Sequence, residues 1–279
     1  MNFLITGVSS GLGAAFSTAA LADGHTVIGT VRRAADAERF RAEHPERAHA
    51  RLLDVTDDDA VFATVAAVER EIGPIDVVIA NAGYGHEGVF EESPMAELRA
   101  QFAVNVFGAV ATIQAVLPHM RERRRGHILA VTSMGGLMTV PGLAYYHGSK
   151  YALEGILETL GKEVAQFGIH VTAIEPGSFR TDWSGRSMVR SPRSISDYDD
   201  LMNPTRARRQ AASGNQLGDP AKAARAVLTV IGSPEPPAHL LLGSDALRLV
   251  TTSRRQTDEE FAKWADLTRS TDFPDGAHL

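Results

Sequence analysis

The stretch NFLITGVSSGLG, residues 2–13, decides how this chain folds. An apolar, β-branched run ends at Thr6 and gives way to Gly7, Gly11 and Gly13, after which AAFSTAALADG reads as a helix. Glycines at these places permit a tight turn, a close approach of backbone to a phosphate group and close helix–strand packing. The helix N-terminus supplies free N–H groups and a partial positive charge. A glycine-rich loop alone is a common turn, but one set directly between a strand and a helix has the context of a dinucleotide site.

Working outward, short apolar runs alternate with longer amphipathic stretches, the pattern of βαβ units in a parallel sheet. Strands are expected at Asn2–Thr6, Thr26–Val31, Ala50–Leu53, Val77–Ala80, His127–Thr132, His170–Glu175 and His239–Leu242. Their hydrophobicity is nearly continuous, as required where helices cover both sheet faces. The expected fold is therefore α/β, a Rossmann-type doubly wound, seven-stranded parallel sheet flanked by helices. It is read as one domain over residues 1–279, with a segment at 178–218 that breaks the rhythm and a C-terminal extension at 243–279. An irregular segment of that length suggests a functional lid or a disordered stretch. Asp219-Pro220 then opens a helix as N-cap and first helical residue.

Composition narrows the function. A formal charge of −6 argues against a polyanionic partner such as nucleic acid, and the basic run RERRRGH at 121–127 reads as a charged helix end. The absence of cysteine removes disulfides, thiolate metal sites and thiolate nucleophiles, and fits a reducing compartment. No uninterrupted apolar run reaches about 18 residues, and MNFLITG enters the first strand without room for a leader, so a cytoplasmic protein with no membrane span is expected. His25, His44, His86, His119 and His127 are scattered without metal-binding spacing, so no metal site is expected. Glu91-Glu92 reads as charge at a helix start, and no G-x-S-x-G elbow is present.

The spacing T-G-x-x-x-G-x-G at residues 6–13 resembles the fingerprint of the short-chain dehydrogenase/reductase family. Further residues agree with it in the family's order. Asn81-Ala82-Gly83 follows the fourth strand, Asn105 lies in a helix-like stretch, Ser133 follows the fifth strand, and Tyr146-x-x-x-Lys150 comes next. Pro176-Gly177-x-x-x-Thr181 closes the sixth strand. The stretch PGSFRTDW also looks similar to the branch containing hydroxysteroid and retinol dehydrogenases. The resemblance implies that Gly7, Ser9, Ser10, Gly11, Leu12, Gly13, Asp54, Val55, Asn81, Ala82, Gly83, Tyr146, Lys150, Pro176, Gly177, Phe179 and Thr181 hold the dinucleotide, with Asp54 at the adenine. It also implies that Lys150 holds the nicotinamide ribose, that Asn105 positions a proton-relaying water, and that the helices carrying Asn105 and Tyr146 pair in a homodimer or homotetramer.

Cofactor choice is argued at the end of the second strand, where an NAD enzyme places an acidic residue to bind the ribose hydroxyls. Here VIGTVRR puts Val31 at that place, followed by Arg32 and Arg33. With no carboxylate to repel a 2′-phosphate and guanidinium groups able to grip it, NADP(H) is favoured over NAD(H).

The remaining question is which tyrosine of AYYHGSK, residues 144–150, does chemistry. A phenol has an ordinary pKa of about 10 and needs nearby positive charge to become reactive. Tyr146 has Lys150 four residues on, on the same helical face, whereas Tyr145 has Ser149 there and Tyr151 has Gly155. Tyr146 is thus the expected acid/base, its pKa lowered by Lys150 together with the positive nicotinamide ring of the oxidised cofactor. Ser133 is expected to orient the substrate oxygen, and Tyr145 to pack against the pocket or a partner subunit. Trp183, Met188 and Met202 of the lid are expected to cover an apolar carbonyl or alcohol substrate. Arg180, Arg186, Arg190 and Arg193 are read as solvent-exposed, with an acidic substrate left open. The expected function is an NADP(H)-dependent oxidoreductase interconverting a secondary alcohol and a ketone or aldehyde. The alternatives are an epimerase or dehydratase of the same superfamily, or a non-catalytic dinucleotide sensor.

Overall fold

The computed structural model describes residues 1–185 and 187–273. In chain order the main elements are β1 (Asn2–Thr6), α1 (Gly11–Ala22), β2 (Thr26–Val31), α2 (Ala34–Glu43), β3 (Ala48–Leu52), α3 (Asp58–Glu71), β4 (Val77–Ala80), β5 (Gly85–Glu87) and α4 (Met95–Phe102). A π-helical segment (Ala103–Gly108) joins α4 to α5 (Ala109–Arg123), followed by β6 (Gly126–Val131), α6 (Ala144–Val164) and β7 (Ile169–Pro176). Then come β8 (Met188–Arg190), α7 (Asp199–Ala212), α8 (Pro220–Ile231), β9 (His239–Leu242) and α9 (Ser244–Arg269).

The main sheet has seven parallel strands in the order β3-β2-β1-β4-β6-β7-β9. All seven expected strands exist, three with bounds shifted by a residue or two. Successive side chains of a strand point to opposite faces, which accounts for the continuous apolar runs. Leu4, Ile28, Val78 and Ile128 enter one core layer, while Phe3, Ile5, Val27, Ile79 and Leu129 enter the other. Each aliphatic side chain so buried contributes about 1.5–3 kcal/mol of transfer free energy. The chain winds outward from β1 to β3, then crosses back to β4 on the other side of β1. That reversal opens a crevice at the carboxyl ends of β1 and β4, where doubly wound sheets bind ligands.

Local chemistry sets the element ends. Asp219 caps α8 by accepting from Ala221 N at 2.8 Å, with Pro220 as first helical residue. The basic run after α5 is consumed by the fold: Arg123 pairs with Glu69 at 2.8 Å, Arg124 donates to Gln166 O at 2.7 Å, and Arg125 reaches Asp76 at 3.3 Å. The continuous helical run Met95–Arg123 is long and apolar enough to cross a membrane, a feature its interruptions hid in the sequence. Ala111, Ile113, Val116 and Met120 are buried in the core, so this run is a core helix of the fold.

The segment 178–218 is more ordered than its composition suggests. It contains β8, which pairs with β5 in a separate two-stranded parallel sheet, and α7. Charge holds it to the body. Glu87 of β5 is fully buried and receives Arg206 Nε at 2.6 Å and Arg209 Nη1 at 3.0 Å, with Arg190 at 3.8 Å. Glu92 accepts from the amides of Ser194 and Ile195, both at 2.6 Å, and from Arg193 Nε at 2.7 Å. The amide bonds, Ser194 first, hold the Glu92 carboxyl below the usual carboxylate range. Two readings are corrected here. Glu92 is an anchor for the lid, since α4 begins only at Met95 and is capped by Pro94. Arg193 is an ion-paired strut, whereas Arg180 is exposed as expected while donating to Gln216 O at 2.7 Å; Arg186 lies outside the described residues.

Candidate active site

An open cleft of about 1470 Å³ runs across the carboxyl ends of the central strands. It exceeds the roughly 300–1,000 Å³ of a drug-sized ligand site and is long enough for a dinucleotide and a second molecule. At one end Gly7 and Gly11 have φ of +75° and +61°, conformations that a side chain disfavours. Ser10 is the N-cap of α1 but makes no capping bond, which leaves its hydroxyl and the first helical N–H groups facing the cleft. The loop is wired to the neighbouring strand. Asn81 Nδ2 donates to Thr6 O at 2.8 Å and Gly7 O at 3.1 Å, and Thr6 Oγ1 accepts from the amides of Asn81 and Ala82. These features fit the diphosphate of a dinucleotide on observations of the loop itself.

Gly7, Ser9, Ser10, Gly11, Leu12, Arg32, Arg33, Asp54, Val55, Asn81, Ala82, Gly83, Pro176, Gly177, Phe179 and Thr181 all line the cleft. Gly13 does not. It lies behind the loop, where an added Cβ would stand 2.3 Å from Gly7 O. The two arginines separate. Arg33 pairs with Asp36 through bonds of 2.7 and 3.1 Å, which raises the guanidinium further and holds the carboxyl low. Asp36, also bound by Arg39 at 2.6 Å, went unnoticed in the sequence. Arg32 is exposed at the cleft edge and makes no hydrogen bond among the described residues. Across from it, Thr56 amide and hydroxyl bonds hold the Asp54 carboxyl below its ordinary range.

At the other end Ser133, Tyr146 and Lys150 meet. Tyr146 and Lys150 are 7% and 6% exposed, and Lys150 Nζ lies 5.7 Å from the Tyr146 ring centroid. Burial pushes the phenol up to about 12, with the adjacent Ser133 hydroxyl acting in the opposite direction. Burial also lowers Lys150 to about 8, partly offset by the charge of Glu154. In the protein alone desolvation sets the phenol high, and Lys150 Nζ donates to Val131 O at 2.8 Å. Ser133 has a second task. Its Oγ accepts from Gly135 N at 2.9 Å and caps a 3₁₀ turn at Met134–Gly136.

Asn105 lies behind the cleft wall. The π-helical segment turns it inward, so that Nδ2 donates to Tyr84 O at 3.0 Å and Ser149 Oγ at 3.2 Å, while Oδ1 accepts from Tyr84 N at 3.1 Å. Its described contacts position the Tyr84 loop and do not include Lys150. Tyr145 is likewise removed from the pocket: its hydroxyl donates to Ser93 O at 2.6 Å and its ring stacks on His86 at 4.9 Å. Tyr145→Phe is accordingly expected to cost about 1 kcal/mol of stability for the lost hydrogen bond while leaving kcat within twofold, as read by thermal unfolding and steady-state assay.

Substrate-side contacts were partly legible. Trp183 stands 5.2 Å from the Tyr146 ring, as a cleft residue should. Met188 and Met202 are corrected: they are buried against Gly85 and Gly142 as packing beneath the lid. Met138, Val140, Leu143, Val189, Leu217 and Arg209 line the cavity instead. His147 was missed although it adjoins Tyr146. Its Nδ1 donates to Gly135 O at 2.7 Å and its Nε2 accepts from Val140 N at 3.0 Å, fixing the loop that follows Ser133.

A parallel doubly wound sheet with a phosphate cradle at one end of a long cleft and a buried Tyr–Lys pair at the other describes a dinucleotide-binding oxidoreductase. Residues 2–189 match the short chain dehydrogenase family, and the chain belongs to it. It is 38% identical over 267 residues to Oxidoreductase BOA17 of Botryotinia fuckeliana, covering 95% of this chain and 97% of that one. NADPH-dependent 3-dehydrocapnine reductase of Ornithobacterium rhinotracheale is 34% identical, with 71% and 72% covered. Human retinol dehydrogenase 8 is 32% identical, with 84% and 78% covered. A crystal structure of a short-chain dehydrogenase from Streptomyces avermitilis superposes with a TM-score of 0.91 at 39% identity, covering 97% and 99% of the two chains.

Proposed function

We propose that this oxidoreductase interconverts an apolar secondary alcohol and the corresponding ketone, or an aldehyde, using NADP(H). The observation that carries the reading is the convergence of Tyr146, Lys150 and Ser133 beneath Trp183 at the inner end of a cleft that begins at the glycine turn. The nicotinamide cofactor supplies the hydride exchanged with the carbonyl carbon. Tyr146 gives or takes the proton at the carbonyl oxygen, and Ser133 donates a hydrogen bond that holds that oxygen beside the phenol. Lys150 holds the ribose hydroxyls and adds positive charge beside the phenol. Because burial alone sets Tyr146 high, the phenolate becomes accessible only when the positive charge of Lys150 is joined by that of the oxidised ring. The segment 178–218 covers the substrate, and Met138, Val140, Leu143 and Leu217 select an apolar one.

The 2′-phosphate is assigned to Arg32, since Arg33 is engaged with Asp36. The NADPH dependence in the name of the Ornithobacterium relative supports the same choice. Arg32→Glu is expected to lower kcat/KM for NADPH by about 10- to 100-fold, the range of a lost charge-assisted pair of about 1.5–3 kcal/mol, with little effect on NADH. A panel of apolar ketones, aldehydes and alcohols assayed by nicotinamide absorbance with both cofactors tests the function. A clear preference of the wild type for NADH overturns the cofactor choice, and transient rather than net absorbance change would favour an epimerase.

Assembly follows the exposed apolar residues on the helices that carry Asn105 and Tyr146. Phe107, Tyr151 and Ile156 are 60%, 45% and 38% exposed, which suits a face shared with a second copy in a homodimer or homotetramer. The cysteine-free sequence suits the cytoplasm.

A further inference from the structure

His147 follows Tyr146 on α6 and is 5% exposed, and both of its ring nitrogens are engaged by the loop that leads from Ser133 to α6. Nδ1 meets Gly135 O at 2.7 Å and Nε2 meets Val140 N at 3.0 Å. A carbonyl oxygen only accepts and an amide N–H only donates, so these two partners fix one neutral tautomer with the proton on Nδ1. Burial lowers the imidazole below its ordinary range, opposed by the Gly135 bond and reinforced by the Arg209 charge. With both nitrogens occupied, the ring has no free position from which to trade protons with the active site.

The loop it grips carries two parts of the site. Gly135 N donates to Ser133 Oγ at 2.9 Å, so Gly135 is joined to the Ser133 hydroxyl through its amide and to His147 through its carbonyl. The accepted bond leaves the Ser133 O–H free to point at a substrate oxygen. Ring and loop are in close contact: a Cβ added to Gly135 would stand 2.9 Å from His147 Nδ1 and 3.3 Å from Ser133 Oγ. Further on, the backbone bonds of the turn reach Met138, whose N–H donates to Met134 O at 3.1 Å. Val140 is then held by His147, and Pro141 O accepts from Arg209 Nη2 at 2.8 Å. Met138, Val140 and Leu143 line the cleft.

We propose that His147 is a positioning residue for both the reacting hydroxyl and the apolar wall of the substrate chamber, acting on Ser133 through Gly135 and on the wall through Val140. This rests on the roles given to Ser133 and Tyr146 above. The ring edge of His147 borders the cleft, but its polar atoms are spent on the loop, so it reaches the reaction only through its two partners. The two bonds divide the work. Without the Nδ1–H bond Gly135 is released, and the Ser133 O–H turns away from the oxygen it should hold beside Tyr146, which lowers kcat. Without the Nε2 acceptor the Val140 N–H is left unpaired and the wall loosens, which raises KM and blunts the discrimination between apolar substrates of different shape.

The test assays three variants with the apolar ketone that the wild type reduces fastest and with a panel of its homologues. His147→Ala removes both bonds and is expected to lower kcat/KM roughly 10- to 100-fold, the cost of misplacing a reacting group by about 1 Å, with NADPH affinity unchanged. His147→Asn places an amide where Nδ1 stands, and should keep kcat while KM rises and selectivity among the homologues falls. His147→Gln places one where Nε2 stands, and should keep KM and selectivity while kcat falls. That crossed pattern supports the proposal. Any other pattern, equal loss in all three included, overturns it, as do wild-type kinetics in His147→Ala. Nitrogen NMR of histidine-labelled protein gives a readout that needs no turnover. The His147 signals, assigned by their loss in His147→Gln, are expected to show a ring protonated at Nδ1 and bare at Nε2 near neutral pH; a cationic ring or the opposite tautomer overturns the proposal. Undiminished turnover by Tyr146→Phe would instead overturn the catalytic reading and leave the His147 tautomer as it is, so the two failures are distinguishable.

Discussion

Tyr146→Phe is expected to lower kcat by about 10³-fold, within the 10²–10⁴ that a positioned proton donor contributes, while leaving the NADPH dissociation constant within a few-fold. The substitution removes one oxygen. The ring keeps its place 5.2 Å from Trp183 and the fold keeps its core, so a loss of turnover reads the phenol and little else. Steady-state kinetics together with NADPH fluorescence titration separate the two effects. The wild-type pH profile carries the same information. Since the chain by itself holds the phenol at about 12, alcohol oxidation should rise with pH as the phenol gives up its proton, as long as Lys150 keeps its charge. A profile that is flat from neutrality to the alkaline limit would remove Tyr146 from the proton step.

Gly13→Ala should have the second largest effect, and on a different quantity. A Cβ there would stand 2.3 Å from Gly7 O and 2.4 Å from Asn81 Nδ2, distances at which backbone or latch must shift. The cost of such overpacking is about 1–3 kcal/mol, and it falls on the loop that receives the diphosphate. NADPH affinity should drop by at least tenfold, and thermal unfolding should move down in the same variant. Gly155→Ala is the matching control. Nothing lies within 4 Å of its added Cβ, and it sits inside α6, where alanine favours the helix by about 0.5–1 kcal/mol. The same one-carbon change thus carries opposite signs at two positions.

How much of this was legible in the sequence depends on the range of the interactions. The strands could be read because burial on both faces leaves continuous apolar runs, and Tyr146 could be told from Tyr145 because four residues of helix fix which side chain Lys150 accompanies. The dinucleotide cradle was legible for the same local reason. What escaped was set by partners far along the chain. Glu92 anchors a segment about a hundred residues away, and β5 acquires its partner only when β8 comes alongside. Met188 and Met202 looked like pocket residues because composition alone cannot say which side of a lid a side chain faces. The pairing of Arg33 with Asp36 was close in sequence yet hidden, since two adjacent arginines are equivalent until α2 turns one of them aside. The extent to which burial raises the phenol was not legible either, because a string of letters carries charge but not desolvation.

The lid anchors have a consequence for how the enzyme meets its substrate. Glu87 is fully buried and the Glu92 side chain is covered by the lid, and together they hold arginines from β8, α7 and the loop between them. Swinging the lid away would have to break these ion pairs together. The chamber above Tyr146 therefore has a fixed ceiling, and molecules are sorted at its mouth by whether they fit, before any rearrangement is asked of the protein. Its preference among homologous chain lengths should be sharp at one end, where the ceiling meets the wall, and tolerant at the other.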